Sequence, residues 1–326
     1  MKLILLLLFC LMIVGAVHFA PPREPEEVSL PAKTLVSLRL FTWNIGYAEL
    51  EDDTRAHNKD LPAVAEVILR EDPDAVALQE LTGTAQLNIL LGLLHGKYRG
   101  AVAQQGKGDR FEAVLVKDVH AKFIPVAVGA RYALAASFRA RPDTPEVVLL
   151  SAHADAFNAS QRRIYTEALI DWTEVRTESS EVFIAGDFNF ELKAANETNL
   201  YTDNVKHDSE SYSHILRNFR DLGREAGDTA INDRRIDYIF GPAKLVQVGR
   251  VEVLRDAAVS RMDHWPLLVE VGRARDRSRA TRQGLQEGSA RSRRNRPLGR
   301  ARRDLRLSRS KRGRKINHAE DVVASG

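Results

Sequence analysis

Acid, amide and imidazole side chains gather in four short clusters along this chain: Thr42-Trp43-Asn44-Ile45, Leu78-Gln79-Glu80, Gly186-Asp187-Phe188-Asn189 and Met262-Asp263-His264-Trp265-Pro266. His153 and Asp237 fall between them. Carboxylates and amides in such numbers suit a hard divalent cation, because magnesium takes oxygen donors and keeps several of its waters. An Asp–His unit beside that cation would activate a water or stabilise charge on a phosphate. In extended chain, residues two apart point to the same side, so Asp187 and Asn189 can face one pocket. The same Gly-Asp-Phe-Asn run is also a sound turn. Glu80 is either a metal ligand or a solvated strand-end acid, and Asn44 either an amide ligand or a turn residue. Asp237 lies among Ile236, Tyr238, Ile239 and Phe240. A carboxylate there is costly to bury alone, and His264 is its expected partner, with a backbone bond as the alternative. His153 follows the apolar run Val147-Val148-Leu149-Leu150, where a His is commonly a packing residue.

These side chains need strand ends to carry them. Strands are expected over 38–43, 75–79, 181–186, 236–240, 245–254 and 266–271, with further β-rich runs over 112–128 and 146–153. Asp60-Leu61-Pro62 opens an amphipathic helix through Val64, Val67 and Ile68 that Pro73 stops. Further helices are expected from Thr84 to about His95, with Gly96 as the stop, and over 161–175. Residues 191–234 are polar and read as a surface excursion. Strands alternating with helices and then dominating fit an α/β arrangement of sheets flanked by helices.

The chain has 326 residues, 44% of them apolar, enough for a sizeable core. Its formal charge of +4 is a sum of opposites. Residues 272–326 hold 18 of the 48 Lys/Arg and 5 of the 44 Asp/Glu, a net +13, and the remainder carries −9. This Arg- and Ser-rich tail cannot bury enough apolar surface to order itself and is expected to be disordered. It would attract polyanions, either nucleic acid or an anionic membrane. Residues 1–20 carry Lys2 and then an apolar run, the pattern of a signal peptide (cleaved after Ala16) or a retained signal anchor. An exported or membrane-anchored protein is expected in either case. Residues 21–36, with three prolines in the first five, read as a linker, leaving 37–271 as the folded domain. The single cysteine, Cys10, excludes a disulfide framework or a cysteine zinc site in that domain. No Gly-x-Ser-x-Gly elbow and no His-Glu-x-x-His helix occurs, and Gln105-Gly106-Lys107-Gly108-Asp109 lacks the features of a phosphate loop.

Taken in order, the clusters over 37–271 resemble the endonuclease/exonuclease/phosphatase superfamily, with its deoxyribonuclease I-like fold. The resemblance implies a four-layered α/β sandwich, two mixed sheets face to face with outer helices. It implies magnesium, or manganese in its place, held by Asn44, Glu80 and Asp263, with Glu80 the main ligand. Asp187 would orient the attacking water or leaving group, Asn189 would bind the scissile phosphate, and His264, oriented by Asp237, would act as base or charge stabiliser. His153 matches the deoxyribonuclease and sphingomyelinase branch, where it is catalytic and touches the phosphate. Glu112 departs from the family, which usually shows Gly there. The expected activity is a metal-dependent phosphodiesterase, nuclease-like and monomeric, with nucleic acid as favoured substrate. A sphingomyelinase-like lipid or phosphoinositide phosphohydrolase and a non-catalytic polyanion-binding module are the alternatives.

Overall fold

All four clusters lie at strand ends in the computed structural model, which describes residues 35–46, 58–106, 110–142, 144–177, 179–193, 195, 201–244, 247–257 and 262–274. One sheet contains β1 (Leu35–Asn44), β2 (Ala75–Leu81), β3 (Arg99–Gln104), β4 (Phe111–Val116), β11 (Gln247–Val253) and β12 (Leu267–Ala274), in the order β11-β12-β1-β2-β4-β3. The other contains β5 (Lys122–Val128), β6 (Arg131–Phe138), β7 (Val147–His153), β8 (Glu181–Asp187), β9 (Phe219–Asp221) and β10 (Asp237–Pro242), in the order β5-β6-β7-β8-β10-β9. Each sheet is antiparallel except for one parallel pair, β1 with β2 and β7 with β8. Both are therefore mixed, as expected.

Helices α1 (Leu61–Glu71) and α2 (Thr84–Leu93) cover the first sheet, burying Val64, Ile68, Leu87 and Leu90 against Phe41, Val76, Leu78 and Leu115. Helices α3 (Ala159–Thr177) and α4 (Val205–Ile215) cover the second, with Tyr165, Leu169 and Ile215 against Leu150, Ile184 and Phe240. A third apolar layer fills the space between the sheets. The four-layered sandwich is thus built from residues that alternate along each strand between the helix side and the sheet side.

That alternation also creates the site. The faces that meet between the sheets are apolar along most of their length, through Leu40, Ala77, Val114, Leu149, Ala185 and Ile239. Two residues further along each strand, at one common end, the same faces carry Thr42, Gln79, Glu112, Ser151, Asp187 and Asp237. All six are buried. The interface changes from oily to polar within one step of every strand.

Several boundaries differ from the expectation. The stretch 191–234 contains α4 and β9; α4 was missed because Asp208 and Ser211 interrupt its buried face between Val205 and Ile215 and blur the apolar periodicity. Arg162 of α3 and Asp208 of α4, both fully buried, pair at 2.6 Å, and Thr202 bonds to both. Asn204 caps α4 by accepting the His207 amide. Strand β3 was not foreseen either. The linker and tail boundaries shift because β1 and β12 pair antiparallel from Leu35↔Ala274 inward, so the domain takes in Leu35 and runs past Val271 to Ala274. The signal or anchor segment, the rest of the linker and the rest of the basic tail lie outside the described residues. Among the described residues, no helix is long and apolar enough to cross a membrane.

Candidate active site

Parallel pairing of β7 with β8 sets His153 beside Asp187. The approach is close enough to demand glycine at 186: its φ is +147°, and a Cβ there would sit 1.9 Å from the Ala152 carbonyl oxygen. On the other flank, β10 runs antiparallel to β8 and brings Asp237 opposite Asp187. Glu80 arrives by a different device. It has φ +65° at a register break between Leu78 and Leu81, and this bulge re-aims a side chain that strict alternation would turn away from the sheet interface. Asn189, at φ +52°, closes the turn after β8, and its backbone amide donates to Asp187 Oδ1 at 2.9 Å.

Asp187 Oδ2 is the hub. Asn44 Nδ2 donates to it at 3.1 Å, His153 Nε2 lies 3.5 Å away and His264 Nε2 3.8 Å away. His264 Nδ1 meets Asp237 Oδ2 at 2.8 Å, the pairing expected for that buried acid. The Asp237 amide donates to the Thr229 hydroxyl, and Trp43 Nε1 donates to the His264 carbonyl, so acid and imidazole are both held by their own backbone. Asp263 is partly exposed, with Oδ2 4.0 Å from His264 Nε2. Glu80 Oε1 lies 3.6 Å from Arg110 and 3.7 Å from His153 Nε2.

Electrostatics separate the two imidazoles. Burial opposes a charge on His264, but Asp237 and Asp187 outweigh it and raise its pKa to about 10. His264 is therefore a cation at neutral pH. Burial dominates at His153 and lowers its pKa to about 3 despite Asp187, so that ring is neutral. Burial also raises Glu80 to about 7; Arg110 and His264 oppose this, and Asp187 and Asp263 add to it.

All the residues expected at the site (Asn44, Glu80, His153, Asp187, Asn189, Asp237, Asp263 and His264) come to this one end of the sandwich. For a metal, Asp187, Asp237 and His264 each offer one ligand atom within 4.8 Å of the others. His264 is a protonated ring already committed to Asp237, so the useful donors are carboxylates. Their crowding, the raised Glu80 and the unpartnered buried Asp237 Oδ1 fit a hard cation that takes oxygen ligands. Asn44 is less free than the sequence suggests, since its Oδ1 already accepts the Gly46 amide. Residues missed at the sequence level form the floor. Gln79 Nε2 donates to the Ser151 hydroxyl at 3.0 Å, and Gln105 Nε2 donates to the His153 carbonyl at 2.9 Å. Period-two alternation through Leu149 and Val114 is the signal that could have placed Ser151 and Glu112 on the sheet-facing side. Gln105 carried no such signal.

The Endonuclease/Exonuclease/phosphatase family profile matches residues 41–278. The chain belongs to this family. Solved structures agree at the level of the fold. The family member from Bacteroides vulgatus superposes with a TM-score of 0.56 at 17% identity, covering 72% of this chain and 98% of that one. The human Nocturnin catalytic domain with bound sulfate superposes at 0.54 and 18% identity, covering 72% and 93%. TDP2 from Caenorhabditis elegans gives 0.54 and 18%, covering 72% and 74%. No curated protein matches significantly. Members of the endonuclease/exonuclease/phosphatase family are metal-dependent phosphoesterases, and the buried Asp187–Asp237–His264 cluster is where this chain concentrates the corresponding chemistry.

Proposed function

We propose that this family member is a divalent-metal-dependent phosphodiesterase, nuclease-like, that hydrolyses its ester by in-line attack of water. The observation that carries the reading is the Asp187 carboxylate, buried and faced at once by Asn44, His153 and His264. Glu80 would hold magnesium or manganese as principal ligand, with Asn44 and Asp263 completing the protein side. When bound, the cation would neutralise charge developing on the phosphoryl oxygens. Asp187 orients the attacking water and accepts its proton. His264, kept cationic by Asp237, serves as a charged hydrogen-bond donor to the phosphoryl group, which favours the stabiliser role over the base. His153 Nε2 and the Asn189 amide hold the remaining oxygens. The sulfate in the related Nocturnin structure is consistent with an oxyanion site on this fold.

Nucleic acid is the favoured substrate, and the basic stretch after Ala274 would add affinity for polyanions in an exported or membrane-held protein. A panel of plasmid DNA, RNA, sphingomyelin, phosphoinositides and bis-nitrophenyl phosphate with magnesium tests the reading. Turnover should vanish with EDTA and return with magnesium; turnover that survives exhaustive chelation refutes it. Cleavage of sphingomyelin or phosphoinositides alone would select the lipid alternative. Ending the chain at Ala274 should weaken polyanion binding and spare the small diester.

A further inference from the structure

The end of the sandwich opposite the active site has a different character. Strands β4 and β6 finish there at Val116 and Phe138, and β5 and β7 begin there at Lys122 and Val147. Among them opens a pocket of about 610 Å³, lined by Lys117, Lys122, Arg139 and Arg141 together with the acids Asp118 and Glu146. Both acids are already engaged. Asp118 accepts the His120 amide at 2.8 Å and the Arg139 amide at 2.9 Å, a clamp that fastens the β4–β5 loop to the end of β6. Glu146 accepts the Ser180 hydroxyl at 3.4 Å. Of the cations, Lys117 is drawn back to Asp72 at 2.9 Å, and Arg139 donates to the Thr144 carbonyl. Lys122 and Arg141 are exposed, and among the described residues no ion pair or hydrogen bond engages either side chain.

Apolar side chains sit beside these charges. Val119, in the turn of the β4–β5 loop, is 62% exposed, and Val175, in the last turn of α3, is 76% exposed. They are the two most exposed large hydrophobic residues among the described ones. Helix α3 carries Val175 to this end because it starts after His153 and finishes before β8, whose first residue, Glu181, donates its amide to the Glu146 carbonyl. A single exposed valine is ordinary on a protein surface. Two at one end, among lysine and arginine, match a surface that meets the headgroup region of an anionic bilayer, where apolar tips enter and basic groups approach lipid phosphates. A single-stranded nucleic acid would use exposed aromatic rings for stacking, and those of the described residues, Tyr132 and Phe157, lie at the active-site end. The chain also enters and leaves the domain here. Leu35 of β1 pairs with Ala274, the last residue of β12, two strands and about 10 Å from β4.

We propose that this end of the domain docks on an anionic phospholipid bilayer, with Val119 and Val175 entering the headgroup region and Lys122 and Arg141 meeting lipid phosphates at the pocket. The active site then faces away from the membrane, because the length of β7 holds His153 about 20 Å from the pocket. The bilayer is a support and not the substrate. The docking itself does not depend on the phosphodiesterase reading.

Hydrogen exchange of the full-length protein tests this, with vesicles of phosphatidylcholine alone and of phosphatidylcholine mixed with phosphatidylserine. Amides of 117–122 and 139–141 should slow on the anionic vesicles only, and those of 129–132, at the active-site end, should not change. Insertion of the apolar run near the N-terminus would occur on both kinds of vesicle, and binding through the basic tail alone would leave these loops uncovered. Lys122→Glu combined with Arg141→Glu should abolish the slowing, lower the partition onto anionic vesicles about 10-fold or more, and leave turnover of bis-nitrophenyl phosphate at the wild-type level. Val119→Asp should also lose the slowing, at an unchanged melting temperature. No slowing on anionic vesicles, equal slowing on both kinds, or slowing that persists in the double variant overturns the proposal. So does the same slowing by a DNA duplex in place of vesicles, which would make this end a nucleic-acid interface. If no protein turns over diester, the phosphodiesterase reading fails, and the exchange pattern still decides the docking.

Discussion

Two histidines flank Asp187 at similar distances, and their surroundings give them opposite states. His264 sits at the β10 side with Asp237 at 2.8 Å and is held as a cation. His153 sits at the β7 side with no ionised partner at Nδ1 and is held neutral. Both rings are almost fully buried, so burial alone does not distinguish them. The difference is an ionised acid within hydrogen-bond range: Asp237 overcomes the cost of burying a cation at His264, and His153 Nδ1 has no such partner. One site thus holds a charged donor and a neutral donor, suited to a phosphate that gains charge on some oxygens more than others.

The contrast can be broken from the charged side first. His264→Ala should cost about 1,000-fold or more in kcat on a diester, with circular dichroism unchanged, because the cationic donor is lost outright. A near-normal rate would remove His264 from the chemistry. Asp237→Asn should cost about 100-fold while leaving the ring in place. NMR titration of that variant should find the His264 pKa well below the wild-type value of about 10; an unchanged value would mean that Asp237 is not what holds the charge.

The smallest effect is on stability, and its sign differs for the two rings. The folded pKa of His264 is raised, so its contribution is complete below the unfolded value near 6.5 and is lost as pH rises toward about 10. The folded pKa of His153 is depressed, so its contribution is present above about 6.5 and is lost as pH falls toward about 3. Each slope is at most about 1.4 kcal/mol per pH unit. Denaturant melts across pH should show His264→Gln flattening the alkaline limb and His153→Gln flattening the acid limb. The reverse assignment would contradict the two charge states.

Much of this was legible beforehand because strand ends announce themselves: an apolar run that stops at Asn44, Glu80, His153 or Asp187 places that residue at the mouth of a sheet. The Asp237–His264 pair was legible by cost, since a carboxylate among Ile236, Tyr238 and Ile239 needs a partner. The polar floor was not. Thr42, Gln79 and Ser151 look like ordinary strand residues until two sheets stack and bring them together. Glu112 stood out only as a departure from the family. Helix α4 escaped because Asp208 and Ser211 occupy its buried face, so the ion pair with Arg162 does the work of apolar periodicity. Glu80 was singled out by its type at a strand end, but the bulge and positive φ that aim it are backbone features no side-chain pattern reveals.

Asp187 joins both halves of the comparison, so replacing it is the most direct trial of the account. The measurement is magnesium-dependent turnover of bis-nitrophenyl phosphate by wild type and Asp187→Asn, with melting temperature recorded alongside. The expected result is turnover in wild type and a loss of about 1,000-fold or more in the variant at a nearly unchanged melting temperature. Wild-type turnover in a folded Asp187→Asn protein would contradict a hydrolytic phosphate site at this end of the sandwich.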